Sequence, residues 1–214
     1  MKIIKENFPE SQYYKVANTK KIIVLHHTVS GVGVAGDINW WKQTPERVGT
    51  PYIIARDGTI TQIFDDKYWI HHLGVKSHQL KQFGSTVTND RLNQISIGIE
   101  LDSWGGLVRR NGNWVNDNGL IIPECDVVPY RDGYRGYFGF EKYTDAQIQA
   151  LKELMMDISK RHNLPLNYFP EMFSFNEKAV KGYHGIWSHT SFRPDKSDVH
   201  PDLRLIEMLK SIKL

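Results

Sequence analysis

The chain has 214 residues, 40% hydrophobic and 24% charged, with a formal net charge of +3. That size and balance suit one globular domain with its own core and exclude a disordered or collagen-like chain. The charge is only mildly basic and no Lys/Arg block occurs, so nucleic-acid binding is not expected.

Lys20-Lys21, then Ile22-Ile23-Val24-Leu25 and His26-His27-Thr28, reads as a buried strand. The glycine-rich stretch 30–36 is a loop, and Asp37 is placed to cap a helix carrying Ile38, Trp40 and Trp41. Asp57-Gly58, between Tyr52–Ala55 and Ile60–Phe64, is the turn pair of a tight hairpin. From Ile95 to Leu101 the pattern alternates with period two. It sets Ile95, Ile97, Ile99 and Leu101 on one face and Gly98 and Glu100 on the other.

Residues 102–140 are rich in glycine and aromatics and read as an elaborated loop with short strands, turning at Asn111-Gly112-Asn113. Cys125, the single cysteine, lies here and reads as a half-buried loop residue: it has no disulfide partner and no zinc-ribbon spacing. Thr144-Asp145-Ala146-Gln147 is a capping box. It opens a helix whose Ile148, Leu151, Leu154, Met155 and Ile158 form a core-facing stripe, ended by Asn163-Leu164-Pro165. Asp202 caps a last helix with Leu203, Ile206, Leu209 and Ile212 inward. With no repeat and no linker, residues 1–214 are expected to form one α/β domain. A mixed central sheet of about five or six strands is flanked by helices, and 102–140 is an insertion.

The chemistry concentrates in Ser188–Pro201, a loop holding His189, Lys196, Asp198 and His200. Its distant counterpart is His26-His27 at the end of the first apolar strand. An open catalytic zinc site takes three protein ligands plus water from such scattered positions, and accepts His nitrogen and Asp oxygen. Side chains alternate along a strand, so only one of His26 and His27 can be a ligand. Glu100, on the polar face of its strand, suits a general base beside a metal, and Lys196 suits a cationic donor to a developing oxyanion.

Ile23–Thr28 resembles the first ligand strand of the zinc-dependent N-acetylmuramoyl-L-alanine amidases, the superfamily of type 2 amidases, phage endolysins and peptidoglycan recognition proteins. Tyr52–Ile60 resembles its second strand and turn, His71-His72-Leu73-Gly74 its His-x-Gly element, and Ile97–Leu101 its glutamate strand. Tyr143–Ile148 resembles the start of its long helix, and His189–Pro201 its closing ligand loop.

The resemblance covers nearly the whole chain. It implies one zinc ion held by His26, His189 and Asp198, with Glu100 activating water and Lys196 stabilising the oxyanion. It also implies that His72 lines the cleft, with His27 and Thr50 on the substrate side; Thr50 stands where some relatives carry a tyrosine. No cysteine follows His189, so the aspartate-ligand branch is the one matched. The spacing to Asp198 is one residue shorter than in that branch, which leaves His200 as a rival third ligand.

The expected activity is hydrolysis of the amide joining N-acetylmuramic acid to L-alanine in peptidoglycan. Peptidoglycan or a muropeptide would be the partner, and a monomer is expected. The rival readings are a muropeptide-binding module of the same fold that does not cleave, and a metal-dependent nuclease, for which no basic groove is evident. No apolar run reaches a membrane span and the N-terminus has no signal-peptide core. The expectation is therefore cytoplasmic synthesis followed by release or non-classical export to the wall, as for a phage-type lysis enzyme.

Overall fold

The computed structural model describes residues 2–212. Its strands are β1 (Ile3–Lys5), β2 (Ile22–His27), β3 (Tyr52–Ile54), β4 (Ile60–Gln62), β5 (Ser96–Leu101), β6 (Gly106–Arg110), β7 (Asn113–Val115), β8 (Ile121–Ile122), β9 (Val127–Tyr134), β10 (Tyr137–Glu141) and β11 (Gly185–Ser188). The helices are α1 (Ala35–Gln43), α2 (Ser77–Gln82), α3 (Asn89–Ile95), α4 (Asp145–His162), α5 (Glu177–Val180), α6 (His189–Phe192) and α7 (Leu203–Ser211). A six-stranded sheet in the order β1-β4-β3-β5-β2-β11 forms the centre, within the expected strand number. β3, β5, β2 and β11 run parallel to one another, and β4 reverses against β3.

β2 lies between two parallel neighbours and all six of its residues are buried. A strand covered on both faces needs an unbroken apolar run, which Ile22–Leu25 supplies. The Asp57-Gly58 hairpin joins β3 to β4 as expected, with Gly58 at φ +82°. Thr144 caps α4 with a reciprocal bond to Gln147, and Leu151, Leu154, Met155 and Ile158 are fully buried against the sheet. Asn163 ends that helix in the left-handed conformation.

Three expectations are corrected in detail. α1 begins at Ala35 rather than at an Asp37 cap; Asp37 sits in the first turn and its carboxylate accepts the Ser30 hydroxyl at 2.9 Å. Ile95 closes α3, so β5 starts at Ser96. In α7, capped by Asp202 as expected, Leu203 is 72% exposed, and Leu205, Met208 and Leu209 make the buried stripe.

The 102–140 segment is more regular than a loop. Strands β8-β7-β6-β10-β9 form a five-stranded antiparallel sheet around Leu107, Trp114, Ile122 and Val127, and Asn111-Gly112 makes its first turn at positive φ. Cys125 is exposed on a short 3-10 turn rather than half-buried. Arg56 fastens this second sheet to the first: its guanidinium pairs with Asp102 at the end of β5 and with Glu141 at the end of β10.

Candidate metal centre and cleft

β2 and β5 are in register with His26 opposite Glu100, so both side chains leave the same face of the sheet at its carboxyl end. β11 borders β2 on the other side. The chain then turns at Ser188, whose side chain makes a capping box with Ser191, and α6 opens with His189 at the same end of the sheet. The following loop folds back until Asp198 O accepts from Thr190 N at 2.9 Å and from Thr190 Oγ1 at 3.0 Å. Three distant segments thus deliver their side chains to one point.

That point is tightly defined. His26 Nδ1 lies 3.1 Å from His189 Nδ1, and Asp198 Oδ2 lies 3.2 Å from the first and 3.0 Å from the second. All three residues are buried. His189 Nε2 donates to Leu73 O at 2.9 Å, which in a neutral ring leaves Nδ1 a bare lone pair. Three acceptor atoms facing one another call for a cation between them. Ligands at about 2.0–2.1 Å in a tetrahedron stand about 3.3 Å apart, close to the spacings found here, and two imidazoles with a carboxylate are a zinc-compatible set. The residues therefore fit a metal ion.

The electrostatics agree. Burial pushes His26 down to about 4, helped by the neighbouring His189, so its ring is neutral near pH 7. Burial raises the Asp198 carboxyl, but His189 and His26 against Oδ2 outweigh it and hold the group well below the usual range.

Glu100 sits on the cleft floor with Oε2 buried and without a hydrogen-bond partner. Burial, then repulsion from Asp198 and Asp37, raises its pKa well above the ordinary value against the pull of Lys196. A desolvated carboxyl aimed into a cleft, unpaired and shifted toward neutrality, has the properties of a general acid–base. The cleft has a volume of about 550 Å³, and its walls include Lys196, Arg193 and Trp40. Trp40 is 57% exposed and offers an apolar face at the rim.

The rival ligand falls elsewhere. His200 is fully buried, takes the Tyr130 hydroxyl at Nδ1 (2.8 Å), donates from Nε2 to Glu141 O (3.2 Å), and is stacked on Phe140 and Tyr143. Both its nitrogens are spent in the core, on the side of the second sheet. His27 borders the cleft, but its ring turns to the opposite face of the sheet: it is 4% exposed, its Nδ1 lies 2.9 Å from Tyr143 Oη, and its Nε2 is buried without a hydrogen-bond partner. Thr50 is also withdrawn from substrate contact. It is fully buried, its hydroxyl donates to Tyr52 O, and its methyl packs where a Cβ on Gly98 would stand.

His72 does line the cleft, but its ring nitrogens are engaged by His26 Nε2 (2.9 Å) and Ser96 Oγ (2.8 Å). Sequence reasoning missed Ser96, the Leu73 carbonyl and Arg193. The first two act through hydrogen bonds to the rings of His72 and His189, and a backbone carbonyl leaves no trace in residue type.

Comparisons with known proteins agree with this geometry. The family model described as N-acetylmuramoyl-L-alanine amidase matches residues 16–201. A search of curated protein sequences gave no match. Among solved structures, a selenomethionine AmpD derivative aligns with a TM-score of 0.53 at 18% identity, covering 96% of this chain and 92% of that one. A point mutant of PlyL aligns with a TM-score of 0.55 at 12% identity, covering 99% of each chain. AmiD from E. coli, in complex with the substrate anhydro-N-acetylmuramic acid-L-Ala-D-gamma-Glu-L-Lys, aligns with a TM-score of 0.52 at 21% identity over 91% of this chain and 59% of that one. At these identities the structures speak for the fold, while the family match spans most of the chain. The chain belongs to the type 2 N-acetylmuramoyl-L-alanine amidase family.

Proposed function

We propose that this amidase works as a monomer through one zinc ion held by His26, His189 and Asp198, with Glu100 as proton carrier and Lys196 as oxyanion partner. The observation that carries the reading is the convergence of two imidazole Nδ1 atoms and a carboxylate oxygen within 3.2 Å at the base of a cleft. Bound zinc supplies a Lewis acid at the scissile carbonyl and lowers the pKa of water at the site. Glu100 takes the proton from the attacking water. The Lys196 ammonium stabilises the negative oxygen of the tetrahedral intermediate. Glu100 then returns the proton to the departing nitrogen, which leaves as the amino group of L-alanine while the lactyl carboxylate stays on the sugar.

The AmiD complex holds a muramyl peptide, and we take the same ligand class for this cleft, with Trp40 and Arg193 as contacts at its rim. Among the described residues no helix is long and apolar enough to cross a membrane. On the strength of the sequence resemblance, we place the protein as an endolysin-type, wall-lytic enzyme.

Purified protein incubated with cell-wall sacculi should release peptides with new L-alanine amino termini, lose activity on chelation and regain it with zinc. Reducing sugar ends, or activity indifferent to chelation, would overturn the reading. Tight binding of muropeptide without release would instead mark a recognition module.

A further inference from the structure

The cleft contains a hydrogen-bond chain that the hydrolytic steps do not use. Ser96 Oγ lies 2.8 Å from Leu92 O, and a carbonyl has no proton to give, so the hydroxyl hydrogen points there. Having spent its one proton, Ser96 Oγ accepts from His72 Nε2–H at 2.8 Å. A neutral His72 then offers the lone pair of Nδ1, and His26 Nε2, 2.9 Å away, must carry the hydrogen between them. His26 is left with a bare Nδ1 aimed at His189 and Asp198.

From this we propose that His72 is a positioning residue: with Ser96 it locks His26 in the Nε2–H tautomer and so prepares Nδ1 as a metal ligand. The scaffold around it is built for the task. Asn93 Oδ1 accepts from the backbone N–H of both His72 (2.8 Å) and Leu73 (3.1 Å), and Asn93 Nδ2 is anchored to Asn89 O at 2.8 Å. The dipeptide His72-Leu73 therefore serves both rings at once, since Leu73 O receives the Nε2–H of His189. Gly98 supplies the room, because a Cβ there would lie 3.0 Å from His72 Nδ1. An outer partner that fixes ring tautomer and raises ligand basicity is typically worth about 10–100-fold in metal affinity.

The tautomer itself does not depend on the zinc reading; its effect on affinity does, and two measurements separate them. In metal-free wild-type protein, long-range 1H–15N correlation NMR of the histidine rings should show His26 and His72 both protonated at Nε2. A His26 ring protonated at Nδ1 overturns the proposal even if no variant folds.

Zinc dissociation constants, by chelator competition, should then weaken about 10–100-fold in His72→Leu. His72→Asn, whose Oδ1 can stand in for Nδ1, should restore affinity, whereas His72→Gln, which reaches toward Ser96 instead, should not. Equal affinities in wild type and His72→Leu, or no difference between Asn and Gln, would overturn the relay. A wild-type protein that binds no zinc would strike the metal reading and leave the tautomer result to decide this one.

Discussion

On the cleft face of β2, His26 meets His189 and Asp198; one residue along, on the opposite face, His27 meets Tyr143 and lies beside His200. All four imidazoles are buried, and burial depresses the pKa of His26, His27 and His200 alike, so burial alone does not separate a ligand from a core histidine. What separates them is where the second nitrogen goes. His200 gives one nitrogen to a carbonyl and receives a tyrosine hydroxyl at the other, which leaves no lone pair for an ion. His189 gives one nitrogen to a carbonyl and turns the other toward a carboxylate. The first arrangement is complete without a guest; the second is an acceptor cluster that needs a cation.

The largest expected effects break the cleft side. Glu100→Gln should keep zinc bound and reduce turnover on peptidoglycan by about 10²–10⁴-fold, the usual worth of a general acid–base. Lys196→Met should reduce kcat by about 10²–10³-fold, as loss of an oxyanion donor does, with zinc content unchanged.

Smaller effects test the core side through stability. His26 and His27 titrate near 4 when folded, and burial lowers His72 and His200 as well. Their unfolded values lie near 6.5, so between about 6.5 and 4 the unfolded chain binds more protons. Stability is then complete above that window and lost as pH falls through it. Glu100, Asp37 and Asp102, raised by burial, work in the opposite sense, three carboxyls against four imidazoles. Denaturant melts of the metal-free protein should therefore show stability falling from pH 7 to 4, and His27→Phe should flatten the fall. Tyr143→Phe, which removes the hydroxyl facing His27, should cost about 1–3 kcal/mol, with zinc affinity untouched.

Much of this was legible in sequence because it rests on local pattern. The apolar run into His26-His27, the alternation that presents Glu100, and the Thr144 and Asp202 caps each declare themselves within a few residues. Two kinds of feature were not. The second sheet depends on pairings such as β6 with β10, some thirty residues apart, and its strands are short and interrupted by glycine.

The choice between Asp198 and His200 was also hidden. Two residues apart in an irregular loop, they carry no period that assigns a face. Only the packing of Phe140 and Tyr143 against His200 shows that it belongs to the core. His27 borders the cleft but turns its ring to the far face of the sheet, and Thr50, which adjoins cleft elements in sequence, is sealed beneath Gly98.

Asp198 and His200 fall on opposite sides of this divide between ligand cluster and core. Zinc content per chain, measured by elemental analysis on Asp198→Ala and His200→Ala prepared side by side, tests it most directly. Asp198→Ala should lose bound zinc while remaining folded. His200→Ala should keep one zinc per chain but be less stable by about 3 kcal/mol, from the cavity left in the aromatic cluster. Zinc retained in Asp198→Ala and lost from a folded His200→Ala would contradict it.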